Sequence, residues 1–77
     1  MDLIKQHEKA ISILEAIETE KIRIAVEQDN LNKFGSMLTE KSKDKARTSI
    51  ILAMLKIEKL QKIYTKQLEV ITSLNKN

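Results

Sequence analysis

Cysteine, proline and tryptophan are absent from the 77-residue chain, and glycine occurs only once. The lack of cysteine excludes disulfide bonds, thiolate zinc sites and thiol nucleophiles within one chain, and it agrees with a reducing, cytoplasmic location. An all-β domain needs turn residues at short intervals, so the near absence of glycine and proline favours long helices. The sequence therefore predicts an all-α fold.

Groups that carry chemistry are also scarce. His7 is the only histidine, so one chain lacks the ligands of a structural zinc site, and a single glycine excludes the glycine-rich phosphate-binding loops. The carboxylates of the first half lie among lysines rather than in an apolar pocket that would suit a general acid. We therefore predict a non-enzyme with no catalytic residue, cofactor, metal or small-molecule substrate.

Long apolar runs are missing as well. None approaches the roughly 18 residues of a membrane span, and the N-terminus has no basic and then apolar signal region. We expect a cytoplasmic protein without a membrane partner. A bacterial or phage source is expected, and a secretion-system chaperone, a phage-encoded regulator and an anti-host factor are all compatible with the sequence.

Charge is present but divided unevenly along the chain. The net charge is +3, with seven acidic and four basic residues in 1–31 and four acidic and ten basic residues in 32–77. An acidic helix pairs better with a basic helix than with its own kind, which favours pairing of the first segment with the second, within one chain or across a dimer. Chance composition in a lysine-rich chain gives the same split, so both interpretations stay open.

Apolar residues recur at helical spacing in two segments. They predict one helix over about 2–30, a short connector over about 31–43 with room for one helical turn, and a second helix over about 44–74. We expect one antiparallel hairpin domain over residues 1–77, and assembly of hairpins into a four-helix-type bundle with coiled-coil packing. The apolar half of the first helix comprises Leu3, Ile4, Ala10, Ile11, Ile13, Leu14, Ile17, Ile22, Ile24 and Ala25.

The apolar stripe of the second helix spans about half its circumference, more than one facing helix covers. The predicted function follows from this surplus: a small non-catalytic adaptor, chaperone or regulatory partner that binds another protein or a second copy of itself. The expected protein interface consists of Ile50, Ile51, Met54, Leu55, Ile57, Leu60, Tyr64, Leu68, Ile71, Leu14, Ile17 and Ile24.

Lysines form a row on the second helix, where Lys56, Lys59, Lys62 and Lys66 are expected opposite the apolar stripe. Such a row is the ordinary solvated back of an amphipathic helix. The alternative function is a small basic dimer that binds nucleic acid through this row and the connector, although the connector has neither interleaved aromatic residues nor a known DNA- or RNA-binding motif. The contacts would then be Lys41, Lys43, Lys45, Arg47, Lys59, Lys62 and Lys66.

The connector holds Gly35, which predicts a left-handed helix cap at the turn. Ser36 or Thr39 is expected to start a helical turn and Ser42 to cap the second helix. We expect the three large apolar residues of the connector to fold onto the hairpin tip: Phe34, Met37 and Leu38.

Two charged residues, Glu18 and Lys21, fall inside the apolar half of the first helix. Either they fix the register of the helix pair from within the interface, or they lie at its edge with the Lys21 stem along the apolar surface.

Overall fold

Two long helices account for most of the molecule. The structure, a computed structural model, describes residues 2–75 and contains α1 (Leu3–Phe34), a single 3-10 turn (Gly35–Met37) and α2 (Glu40–Asn75). The helices pack against each other along their length, and the described chain measures 59 × 15 × 13 Å. The predicted all-α helical hairpin is confirmed, whereas assembly into a four-helix bundle stays a prediction.

A side-chain cap starts each long helix. The Asp2 carboxylate accepts a hydrogen bond from the Ile4 backbone N–H at 3.0 Å. The Thr39 hydroxyl oxygen accepts one from the Ser42 backbone N–H at 3.1 Å. Each cap satisfies a backbone donor that has no partner within the helix, which stabilises a helix by about 1 kcal/mol.

Both helices extend about four residues further into the connector than predicted. The cap of α2 is Thr39 rather than Ser42, which lies inside the helix. Ion pairs between residues three or four apart, of the kind that support helices, occupy this region. They join Lys33 to Asp29 at 3.1 Å and Lys43 to Glu40 at 3.4 Å.

The left-handed cap predicted at Gly35 is wrong. Gly35 has φ −54° and ψ −40°, and the chain reverses instead through Phe34 (φ −118°, ψ 6°) and Leu38 (φ −89°, ψ 147°). Every residue type adopts these conformations, so this turn does not need glycine. The expectation for the apolar residues of the tip is also wrong in part, because Leu38 is half-buried while Met37 is 78% exposed and Phe34 is 48% exposed.

The interface between the helices, called the seam below, follows a seven-residue repeat. Buried and half-buried residues recur at alternating steps of three and four, which is the spacing of a coiled coil. The seam of α1 consists of Leu3, Gln6, Ala10, Ile13, Ile17, Glu20, Ile24, Glu27 and Leu31. The seam of α2 consists of Lys43, Ala46, Ile50, Ala53, Ile57, Leu60, Tyr64, Gln67, Ile71 and Leu74.

The seam holds little apolar volume. Within residues 2–75 the buried apolar side chains are two alanines and three isoleucines, and no side chain of the described chain is completely buried. Five of the seam positions are polar or charged, which lowers the stability of a coiled coil. Those five are Gln6, Glu20, Glu27, Lys43 and Gln67.

Candidate interaction surfaces

A buried glutamate defines the two sides of the hairpin. Glu20 lies in the seam with its side chain only 4% exposed, and its carboxylate contacts one cation from each helix. Lys56 Nζ of α2 lies 3.0 Å from Oε1, and Arg23 Nη1 of α1 lies 3.8 Å from Oε2. Because both cations reach the same carboxylate, Arg23 and Lys56 flank the seam on the same side of the molecule.

The opposite flank is apolar. On the side of the seam opposite Arg23 and Lys56, both helices expose a row of large apolar side chains. Each of these side chains is between 41% and 68% exposed. We call this surface the apolar side, and its residues are Ile4, Ile11 and Leu14 of α1 and Ile51, Met54 and Leu68 of α2.

Charges on the apolar side nearly balance. Glu18 and Lys21 are both exposed, so they lie outside the seam, as the interpretation that placed them at its edge requires. On α2 the same flank carries Glu58 and the ion pair between Asp44 and Arg47, whose Oδ1 and Nη1 atoms are 3.2 Å apart. The apolar side therefore carries no strong field of either sign.

The buried charge of the seam is Glu20, which a projection at 100° per residue places in the polar half of α1 or at its margin. That assignment is wrong. A pattern projected at 100° per residue drifts by about 20° per seven residues relative to a seam with a strict seven-residue repeat. The drift carries Glu20 from the margin of the projected polar half into the real seam.

The flank that contains Arg23 and Lys56 is basic. Two recesses open on it, one lined by Arg23, Lys41, Lys45 and Lys56 with Leu52 among them. The other is lined by Lys5, Lys9 and Ser12 with Ile63, and the carboxylate of Glu8 lies at its edge from the outer surface of α1. We call this surface the basic side, and its basic residues are Lys5, Lys9, Arg23 and Lys33 of α1 and Lys45, Lys56, Lys59 and Lys66 of α2.

The predicted protein-interface residues fall into two groups. Seven of the twelve lie in the seam between the two helices of one chain: Ile50, Ile57, Leu60, Tyr64, Ile71, Ile17 and Ile24. The other five are exposed: Ile51, Met54, Leu55, Leu68 and Leu14. A helical pattern marks both groups as apolar, but only the packing of the second helix shows which residues remain uncovered.

The residues predicted to contact nucleic acid are also divided. Lys45, Lys59 and Lys66 lie on the basic side, Lys41 lines its recess with Arg23 and Lys56, and Lys62 lies on the outer surface of α2. Lys43 instead takes a half-buried seam position beside Glu40, and Arg47 lies on the apolar side beside Asp44.

The predicted lysine row is wrong for Lys56, and α1 also contributes basic residues to the basic side. Lys56 flanks the seam and binds Glu20, so it does not lie opposite the apolar stripe as predicted. The predicted set also lacks the basic residues of α1 that share this side, which a seven-residue recurrence in both helices identifies. They are Lys5, Lys9, Arg23 and Lys33.

Comparison with protein-family models, curated proteins and solved structures finds no match to this chain. Across residues 2–75, no helix is long and apolar enough to cross a membrane. The same residues contain no group of three or more histidine, cysteine, aspartate or glutamate side chains that could hold a metal ion.

Proposed function

We propose that the chain is a non-catalytic protein-interaction module whose apolar side packs against the apolar side of a second copy. The observation that carries this proposal is the imbalance between covered and uncovered apolar residues. Among residues 2–75, five apolar side chains are buried and thirteen large ones are at least 41% exposed. A chain of this size stabilises itself with difficulty on so small a core, and six of the thirteen lie on the apolar side, where a second copy would cover them.

The dimensions of the hairpin support self-association. One side of a molecule measuring 59 × 15 Å offers roughly 900 Å², which is close to the ~800 Å² per partner of a stable protein interface. Helix packing through such a side produces a four-helix arrangement.

The distribution of charge favours self-association through the apolar side and opposes it through the basic side. Three acidic and two basic residues lie around the apolar side, so two copies can approach there with little repulsion. Two basic sides placed together would instead oppose eight basic residues on each copy.

An adaptor, chaperone-like or regulatory role is proposed on the same basis. A partner protein that presents an amphipathic helix with a matching apolar stripe would compete with the second copy for one surface. Self-association would then set the concentration of free hairpin available to that partner.

Paired lysine substitutions test which side forms the interface. Leu14→Lys with Met54→Lys places two charges on the apolar side, and we expect sedimentation analysis to show a monomer. Leu52→Lys with Ile63→Lys is the matched control, because these two side chains have similar exposure but belong to the basic side. If the control dissociates the protein and the first pair does not, the proposed interface is wrong.

A further inference from the structure

Within the two helices, the basic side has no acidic residue at the heptad positions that build it. On each helix these are the two positions that share the flank of Arg23 and Lys56, nineteen residues in all within Leu3–Phe34 and Glu40–Asn75, while Asp2, the cap of α1, lies on the same flank just before the helix. Eight of the nineteen are lysine or arginine and none is aspartate or glutamate. Each helix contributes four of the eight basic residues, and the hairpin places the two flanks together on one side.

We infer that the basic side binds double-stranded nucleic acid through the phosphate backbone. This inference goes beyond the proposed function and does not depend on it, since it concerns the opposite side of the hairpin. Lysine and arginine neutralise phosphates and release counterions, which supplies most of the affinity of sequence-independent binding. Hydroxyl groups also bond to phosphate oxygens, and Ser12 and Ser49 line the two basic recesses.

Carboxylates at the recess lined by Arg23 and Lys56 are already balanced by cations. Glu20 contacts Lys56 and Arg23, and Asp44 contacts Arg47 from the neighbouring flank. Lys41 and Lys45 line the same recess, so it keeps a positive charge available to a phosphate.

The length of the basic side suits a duplex. Lys5 and Lys33 are 28 residues apart on α1, about 42 Å at a rise of 1.5 Å per residue. One turn of duplex DNA is about 34 Å long, so a hairpin lying along it reaches the backbone at two successive crossings.

Single strands and lipid surfaces fit less well. Proteins that bind single strands stack bases on aromatic side chains, but Phe34 is at the hairpin tip and Tyr64 is in the seam. Helices that lie on membranes present aromatic and aliphatic residues to the acyl chains. Here Leu52 and Ile63 line the recesses among lysines.

The test measures binding of the full chain to a fluorescently labelled random-sequence duplex of about 24 base pairs. Fluorescence anisotropy gives the affinity at salt concentrations between 50 and 200 mM. We expect binding at 50 mM salt that weakens steeply as salt rises. Lys45→Gln with Lys59→Gln should weaken binding about tenfold and make the slope of log affinity against log salt less negative by about 2.

The matched control removes the same charge from positions outside the basic side. Lys21→Gln with Lys62→Gln should leave the affinity for the duplex within about twofold, because Lys21 lies on the flank of the apolar side and Lys62 on the outer surface of α2. Circular dichroism of both variants confirms that the helices are retained.

Four outcomes overturn the inference. The first is no duplex binding at 50 mM salt, and the second is an equal loss of affinity in the two double variants. The third is tighter binding to a single strand of the same length. The fourth is binding to phosphatidylserine-containing vesicles in the absence of duplex binding, which would assign the basic side to a lipid surface.

Discussion

Gln67 of α2 joins the two helices near the open end of the hairpin through two hydrogen bonds to Gln6 of α1. Its Nε2 group donates to Oε1 of Gln6 at 2.9 Å and to the Gln6 backbone carbonyl oxygen at 2.8 Å. A seven-residue repeat tolerates a slip of seven residues, since the same seam positions would meet again. A polar pair at one level opposes such a slip, and we propose that it fixes the register of this hairpin.

Gln67→Leu is expected to lower the free energy of unfolding by about 1–2 kcal/mol, because it removes both hydrogen bonds at a partly buried position. Urea denaturation measures the change. Gln61→Leu is the control, since Gln61 is exposed on the same helix and should change stability by less than about 0.5 kcal/mol. Equal effects of the two substitutions would show that the hydrogen bonds contribute nothing.

Substitutions of Glu20 and of Lys56, its nearest cation, are expected to change the free energy of unfolding in opposite directions. Its Oε2 atom has no hydrogen-bond partner among the described residues, and replacing a buried charge by a well-packed apolar residue is often stabilising. Glu20→Leu should therefore raise the free energy of unfolding by about 1 kcal/mol. Lys56→Met should lower it by about 1–3 kcal/mol, because Glu20 stays buried without its nearest cation.

Thermal melting of Lys59→Met provides the reference for this comparison, because Lys59 is exposed and makes no contact with Glu20. A melting temperature that falls in Glu20→Leu would mean that the ion pair itself stabilises the seam.

Gly35→Ala is expected to increase the free energy of unfolding by about 0.4–1 kcal/mol. The backbone of Gly35 is right-handed, and a Cβ atom added there would have no other heavy atom within 4 Å. Alanine then reduces the conformational freedom of the unfolded chain without strain in the folded one. Destabilisation on chemical denaturation would indicate a left-handed turn instead.

Thr39→Ala should lower the free energy of unfolding by about 1 kcal/mol, because it removes the hydroxyl acceptor of the Ser42 backbone N–H at the start of α2. Ser36→Ala serves as the neighbouring comparison, with an expected change below about 0.5 kcal/mol. The cap assignment fails if the two variants melt at the same temperature.

Much of the fold follows from the sequence, because apolar residues at helical spacing and a single glycine leave few alternatives to two long helices. The exact ends of the helices cannot be predicted from the same pattern. Asn30, Asn32 and Ser42 are typical of turns, yet caps and local ion pairs keep them helical here. The conformation of Gly35 was equally inaccessible, because a glycine permits a left-handed turn without requiring one.

The two surfaces were only partly predictable. Met54 and Ile57 look alike on a helical projection, and only the path of α1 shows that Ile57 is in the seam and Met54 is exposed. The basic side could not be predicted as one surface, because two helices contribute to it. Lys9 and Lys45 are far apart in sequence, and their common side depends on the hairpin register.

The mass of the unmodified protein in solution tests the central claim, self-association through the apolar side, most directly. At tens of micromolar, sedimentation equilibrium should give twice the 8.9 kDa of one chain. The melting temperature should rise with protein concentration, because association stabilises the folded state by mass action. A mass of 8.9 kDa together with a cooperative melt that does not depend on concentration would contradict the account.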